Sequence, residues 1–425
     1  MQVQAPAGEL GRRSGLARLP RAVPLPEMER LPSAAEAQQL VLARVQQLPA
    51  ERIPVAAAAG RVVAEPALSR TDLPPFPSSA MDGYAVRSAD TPGTLPIGFR
   101  IAAGLPSPRP LAPGEAMAIS TGGVVPDGCD AVVPIEQVVA TDNSVSMDKN
   151  VPIGANIRGR GGDLRDGDVV VGPGVRLTPA GIGALAAAGV ATVAVARRPR
   201  VAILTTGTEL VPPGLPLGPG QVYEANGSIL AAQAVAAGCE VVCLPAVADD
   251  EQAHRAAIEQ GLAYDVLVTS GGVSVGPHDL VRRVEADLGV EEVFWRVSVK
   301  PGKPVAFGVR GATLVFGLPG NPVSSLVSFE LFVRPALLAL QGFASPLPRF
   351  EPGRLAAAVR RGSRDELVRA RTRVDLAAGA VVLEPLRGQG SHMIARAAEA
   401  DALVWIPAGE GELAAGSTAA YYRLP

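Results

Sequence analysis

Cysteine and histidine are both scarce in this chain of 425 residues, with three of each. The cysteines, Cys129, Cys239 and Cys243, are odd in number and include no C-x-x-C pair. That argues against a disulfide framework and a Cys/His zinc centre, and fits a reducing, cytoplasmic setting. Cys239 and Cys243 stand four apart in "CEVVCL", a spacing that predicts buried thiols on one face of a strand. Net charge is small, −2, and no basic block occurs, so recruitment of nucleic acid is not expected. Residues 1–33 carry Arg12, Arg13, Arg18 and Arg21 among prolines and small residues, without a continuous apolar run. The segment reads as a loose tail rather than a secretory signal. One uncharged stretch, "LTPAGIGALAAAGVATVAVA" at 177–196, is long enough to span a bilayer. It is alanine-dominated, and Gly189 divides it into a short helix and an alternating strand, so no membrane segment is expected. No internal repeat is found.

What is present is an ordinary soluble composition, 48% hydrophobic and 19% charged, with 47 glycines and 40 prolines that imply many tight connections. The length suffices for two to four domains. Ser33 and Glu36 in "SAAE" form a capping box ahead of a helix whose apolar stripe is Leu40, Val41, Val45 and Leu48. From about 53 to 175, short apolar runs broken by Gly, Pro and Asp, such as "DAVVPIEQVV", predict β-rich structure with long loops. From 198 strands and helices alternate. "RVAILTTG" is followed by a helix N-capped by Asn226 and ending at Gly238, then by "CEVVCLPAV" and a helix capped by Asp249 or Asp250. "YDVLVTS", a helix near 278–288, "VFWRVSV", "PVAFG" and "TLVFG" follow, and Pro322 opens a long helix. This pattern predicts a three-layer α/β domain with a mainly parallel sheet. "AVVLEPL", "ALVWIP" and "AAYYRL" predict a small β domain over 343–425.

Ligands of open α/β sheets sit at the carboxyl ends of the strands. Four suggestive loops fall there: "TTGTEL" (205–210), "SGGVSVGPHD" (270–279), "KPGKP" (300–304) and "LPGNP" (318–322). Gly271 and Gly272, flanked by Ser270 and Ser274, permit close approach of backbone to a phosphate, and the following helix start adds partial positive charge. Lys300 and Lys303 lie across a Pro-Gly turn and can place two ammonium groups near one anion. Glu209, Asp249 and Asp279 would repel a phosphate unless a divalent cation lay between them, as Mg²⁺ does with one or two carboxylates and phosphate oxygens. The residues thus point to a magnesium-assisted site for a phosphorylated or nucleotidyl ligand. Taken singly, each acid also reads as a surface group or a helix cap, Asp249 above all. A second cluster lies in the N-terminal half. "PPFPSSAMDGYAVR" (74–87) contains the turn dipeptide Asp82-Gly83. "STGGVVPDGCDAVVPIEQV" (120–138) supplies Thr121, Asp130 and Glu136, and "NIRGRGGDLRDGD" (156–168) supplies Asp163 beside Arg158 and Arg160. Spacing alone does not connect this cluster to the α/β loops.

From about residue 34 to 425 the sequence resembles the MoeA-type molybdopterin molybdenumtransferases, which include the C-terminal part of gephyrin. The resemblance is carried, in order, by "SAMDGYAVR", "STGG…P.GCDAVV..E", "NIR..G.D", "TTGTEL", "SGGVSVGPHD", "KPGKP", "GLPGNPVS" and "GQGSHM". It implies a multi-domain α/β plus β fold. Residues 34–70 and 151–197 would form a discontinuous N-terminal domain, 71–150 an inserted β domain, 198–342 the molybdopterin-binding α/β domain, and 343–425 a C-terminal β-barrel. The implied reaction joins molybdate to the dithiolene of adenylylated molybdopterin and releases AMP, with Mg²⁺. The implied assembly is a homodimer whose site lies between the α/β domain of one subunit and the inserted domain of the other, which would bring Asp82 and Thr121 opposite Asp279. By motif, Asp82, Thr121, Glu136 and Asp163 are carried over from the N-terminal half. Glu209, Asp249, Asp279, Lys300, Lys303, Pro319 and Pro322 are carried over in the α/β domain, and Arg369 and Ser391 in the last. Glu209, Asp249 and Asp279 are the candidate metal ligands, and Arg369 and Ser391 the candidates for molybdate. Thr208 stands where an acid is frequent, and Arg296 where some members carry lysine. The preceding adenylyltransferase and the chaperones of molybdoenzymes are the candidate protein partners; nucleic acid and membrane are not. Two other readings are an adenylyltransferase, which shares the α/β domain but lacks 34–197 and 343–425, and a non-enzymatic scaffold, against which the retained acids and lysines argue.

Overall fold

The computed structural model describes residues 30–248, 250–272 and 280–425. The capping box is formed: Ser33 Oγ accepts from Glu36 N at 3.2 Å, and Glu36 Oε2 accepts from Ser33 N at 2.8 Å. Arg30 donates to the same carboxylate, and these donors hold Glu36 down to about 2. The helix Ala34–Leu42 stops before Val45 and Leu48, which pack on the same core from irregular chain. Its Ala34, Ala37 and Val41 join the core of the α/β domain with Phe332 and Leu337. Its small-residue face lets it lie close on the helical stretch Phe329–Leu340.

Beyond it, Ala50–Pro54 pairs antiparallel with Thr192–Ala196, and Ala67–Leu68 with Val169–Val171. Val55, Val63, Leu177, Leu185, Val193 and Val195 share one core, so segments far apart in sequence make one unit. Residues 177–196 are a helix, Pro179–Ala187, capped by Thr178, then Gly189 at φ +74, then the strand Thr192–Ala196. Between the two halves a six-stranded sheet has Gly83–Val86 flanked by Ala116–Ile119 and Ala131–Pro134. Both its faces are buried: Tyr84, Val86 and Val133 on one, Ala85, Val132 and Met117 on the other, the period of two that a strand imposes.

The α/β sheet runs Glu240–Cys243, Arg200–Thr205, Val266–Ser270, Thr313–Leu318, Ala306–Arg310, Glu291–Trp295. The first four strands are parallel; Ala306–Arg310 runs antiparallel between its neighbours. Val201, Ile203, Val268 and Phe316 face the helices Asn226–Ala236 and Pro322–Leu340, and Ala202, Leu204, Leu267 and Val315 face Glu251–Gly261 and Leu280–Asp287. Each fully buried aliphatic side chain contributes roughly 1.5–3 kcal/mol. Asp250 caps its helix through Ala253 N at 2.8 Å. Asn226 does not cap: it is the first helical residue, and Ala225 precedes it. Pro322 opens its helix, which continues to Leu340 through a π-helical turn at Phe329–Val333. Among the described residues it is the one helix long and apolar enough to cross a membrane, and 83% of its most apolar 18-residue stretch is buried in the fold.

The strand expected over "VFWRVSV" ends at Trp295, because Arg296 takes a left-handed φ of +72. Val299–Lys300 then leaves the sheet and pairs with Asp365–Asp375 of the last domain. There Glu351–Leu355, Asp365–Asp375, Ala380–Pro385, Ala402–Ile406 and Thr418–Arg423 close into a five-stranded barrel around Leu355, Leu383, Val404 and Tyr421. The cysteines depart from expectation. Cys239 is buried but precedes its strand, whereas Cys243 at the strand's end is exposed, so the alternation that would put them on one face does not span both. Among the described residues no group of three or more His, Cys, Asp or Glu could hold a metal.

Candidate functional site

A cavity of about 710 Å³ opens at the carboxyl ends of Arg200–Thr205, Val266–Ser270 and Thr313–Leu318. Its walls include Gly207, Glu209, Ser270, Gly271, Gly272, Pro304, Pro319 and Pro322, and a turn of the last domain adds His392. Three of the four expected loops therefore contribute broadly, and "KPGKP" contributes Pro304. Close packing and positive φ explain the glycines. A Cβ on Gly271 (φ +100) would lie 2.6 Å from Thr206 O, and one on Gly272 (φ +68) 2.5 Å from Val281 Cγ2. Asn226 ties the loops together: its Nδ2 donates to Ser270 Oγ at 2.9 Å and to Gly320 O at 2.8 Å. Ser270, buried, also donates to Pro319 O at 3.3 Å. The clamp spans three chain segments, so each loop fixes the others.

The charged candidates fall in different places. Glu209 lines the cavity; its carbonyl accepts from Val222 N at 2.9 Å, while its carboxylate has no hydrogen bond or ion pair among the described residues. Lys300 pairs with Glu366 of the barrel at 3.1 Å; Lys303 is exposed, and its carbonyl accepts from Val297 N and Val305 N. Neither lysine lines the cavity. Asp249, Ser274 and Asp279 lie outside the described residues.

Three family models cover most of the chain: the MoeA N-terminal region (domain I and II) at residues 32–189, the probable molybdopterin binding domain at 202–339, and the MoeA C-terminal region (domain IV) at 352–424. Molybdopterin molybdenumtransferase 2 of Mycobacterium tuberculosis is 36% identical over 402 residues, 91% of this chain and 98% of that protein. The chain belongs to the molybdopterin molybdenumtransferase (MoeA) family. A Haemophilus influenzae member is 40% identical over 289 residues, covering 67% of this chain and 71% of its own. A Pyrococcus horikoshii molybdopterin biosynthesis MoeA structure is similar at a TM-score of 0.77 and 32% identity, over 93% of this chain and 99% of that one.

Of the residues carried over from MoeA motifs in the N-terminal half, Asp82 and Thr121 meet: Thr121 N donates to Asp82 Oδ1 at 2.7 Å, both residues being exposed. Gly83 is not a turn residue, as "DG" suggested, but the first residue of a strand hydrogen-bonded on both sides. Glu136 lines a separate cavity of about 800 Å³ in the inserted sheet. Asp130 is structural, its Oδ1 accepting from Ser88 N at 2.6 Å. Asp163 is exposed, and neighbouring Arg160 pairs with Asp72 at 2.5 Å. None of these residues lines the α/β cavity.

Arg369 lies on the barrel strand Asp365–Asp375. Expected at the molybdate, it is 2% exposed, and its guanidinium donates to the carbonyls of Met393 (2.9 Å), Gly388 (2.9 Å) and Gly390 (3.1 Å). Gln389 Oε1 accepts from Arg369 N at 3.0 Å. Burial pushes its pKa down. With its donors so engaged, it shapes the turn rather than facing the cavity. Ser391 is half-buried and its carbonyl accepts from Val323 N at 3.0 Å, which docks the turn on the start of the Pro322 helix. The sequence reading missed Asn226 as a clamp, having assigned it as a cap. It also missed His392, although "GQGSHM" contains it.

Proposed function

We propose that the chain is a molybdopterin molybdenumtransferase that joins molybdate to the dithiolene of adenylylated molybdopterin and releases AMP, in the cytoplasm. The observation that carries the reading is the cavity where the glycine loops, Glu209 and the barrel turn converge. Its dimensions and polar walls suit a nucleotide-bearing pterin. On this reading the phosphoanhydride lies along Ser270–Gly272, where the absence of a Cβ lets backbone approach, and near the start of the Pro322 helix, whose end carries partial positive charge. Lys300 and Lys303 add positive charge beside Pro304 as AMP leaves. Pro319 and Pro322 shape the cavity wall, and Ser391 holds the barrel turn against the start of the Pro322 helix.

Magnesium fits Glu209, a cavity carboxylate with no partner among the described residues and of the hard-oxygen type this ion prefers. Glu209 would hold it, together with Asp249 and Asp279 as assigned by sequence. Bound there, the ion would offset charge on the phosphates. We further propose a homodimer in which Asp82, Thr121, Glu136 and Asp163 of one subunit complete the site of the other, since they lie away from the cavity within one chain.

The test is AMP release by the purified chain supplied with adenylylated molybdopterin, Mg²⁺ and molybdate. Molybdate-dependent AMP release supports the reading. Accumulation of adenylylated pterin from ATP and free molybdopterin, without that release, would replace it with an adenylyltransferase.

A further inference from the structure

We infer that His392 is a substrate-contacting residue, donating an N–H to an oxyanion in the cavity, and that Arg369 is the positioning residue that holds it there. The inference rests on the molybdenumtransferase reading and adds a residue which that reading does not assign. Its first support is charge. Among the described residues lining the cavity, Glu209 and Glu224 are carboxylates, and His392 is the one side chain able to carry positive charge. A site for phosphates or molybdate requires donors, and imidazole offers one in either tautomer and two when protonated.

The second support is how the turn is built. Desolvating a guanidinium is costly, and Arg369, 2% exposed, is compensated chiefly by carbonyl oxygens of a single turn, Gly388 to Met393. Gln389 reinforces it, with Nε2 donating to Arg369 O at 2.9 Å and to Leu386 O at 2.8 Å. Val323 N then pins Ser391 O at 3.0 Å. His392 is therefore presented from a turn fastened both to the barrel and to the helix at the cavity's edge. The ring lies against Gly390, where a Cβ would sit 2.9 Å from His392 Cε1. The arrangement secures the position of one imidazole.

The phosphoanhydride and molybdate share the chemistry that an imidazole N–H would recognise, and kinetics separate them. KM and kcat are measured with adenylylated molybdopterin varied at saturating molybdate, then with the two reversed. His392→Gln is expected to raise one KM about tenfold or more, the loss of a charge-assisted hydrogen bond, and the KM that moves identifies the anion. His392→Arg, which restores an N–H donor, should recover most of the loss. Gly390→Ala, which displaces the ring without removing it, should reproduce the rise. Arg369→Lys should raise the same KM, and adding His392→Gln to it should add little, as coupled residues behave in a double-mutant cycle. If the wild type releases AMP and His392→Gln leaves both KM values within twofold, the contact is overturned. Additive effects of the two substitutions would overturn the role of Arg369. A wild-type chain that releases no AMP would overturn the enzymatic reading, and the inference with it.

Discussion

Replacing Gly83 by alanine probes how the inserted sheet carries Asp82 and Thr121. A Cβ at this position would lie 1.9 Å from Val133 O, 2.8 Å from Val133 C and 3.0 Å from Pro134 Cα. All three are backbone atoms of the adjacent strand, so no rotamer change relieves the contact. Nor can Gly83–Val86 step aside, because Ala116–Ile119 is bonded to its other edge. Overpacking typically costs 1–3 kcal/mol, and against an immobile backbone we expect the upper end, about 3 kcal/mol. That corresponds to roughly a hundredfold more frequent opening of the sheet. A single melting temperature is a poor readout for a chain of several domains. Hydrogen exchange of the amides in Gly83–Val86 and Ala131–Pro134 is a better one. Exchange there should quicken about a hundredfold while Val266–Ser270 stays protected. AMP release should fall, because the Asp82–Thr121 hydrogen bond sits at the end of the same strand. Exchange rates within twofold of wild type, with full activity, would refute the steric account of this glycine.

Asp265 accepts from Arg197 at 2.7 and 2.9 Å and from Arg200 N at 2.7 Å. Burial opposes its ionisation, but these donors outweigh burial and hold the carboxyl below its ordinary value. Its stabilisation is therefore complete above the ordinary pKa of about 3.9 and fades as pH falls through the lower folded value. Asp265→Asn should cost about 2 kcal/mol at pH 7, read as roughly thirtyfold faster hydrogen exchange of the adjoining Val266–Ser270 amides, and the gap from wild type should narrow in strong acid. Burial pushes the Cys239 thiol up to about 12 and the Cys129 thiol up to about 11, whereas Cys243 is exposed. An aromatic disulfide reagent at pH 8 should titrate one thiol per native chain and all three after unfolding; rapid native reaction of Cys239 would contradict the packing. Glu209→Gln should raise the Mg²⁺ concentration needed for half-maximal AMP release about tenfold or more, and an unchanged Mg²⁺ dependence would remove Glu209 from the metal site.

Local physics was legible in the sequence wherever one residue acts on its near neighbours. Ser33 with Glu36, Pro322 at a helix start, Gly189 between helix and strand, and the alternation of strands with helices after 198 all appear as read, because caps, turns and periodicity depend on a few consecutive residues. The order of long motifs was equally legible and pointed to the MoeA family. Contacts between segments distant in the chain were decided only by the tertiary structure. Arg369 sits on a barrel strand, and nothing beside it in sequence reveals that a turn some twenty residues on would wrap its guanidinium in carbonyls. Asn226 has a capping residue's identity and works instead across two other loops. Gly83 looks like half of a turn until Val133 O is found where its side chain would be. Lys300, read as a site cation, is also a strand residue paired to the barrel. In each case residue type states which interactions are available, and the packing of remote segments selects among them, because burial and hydrogen-bond partners are properties of the folded chain.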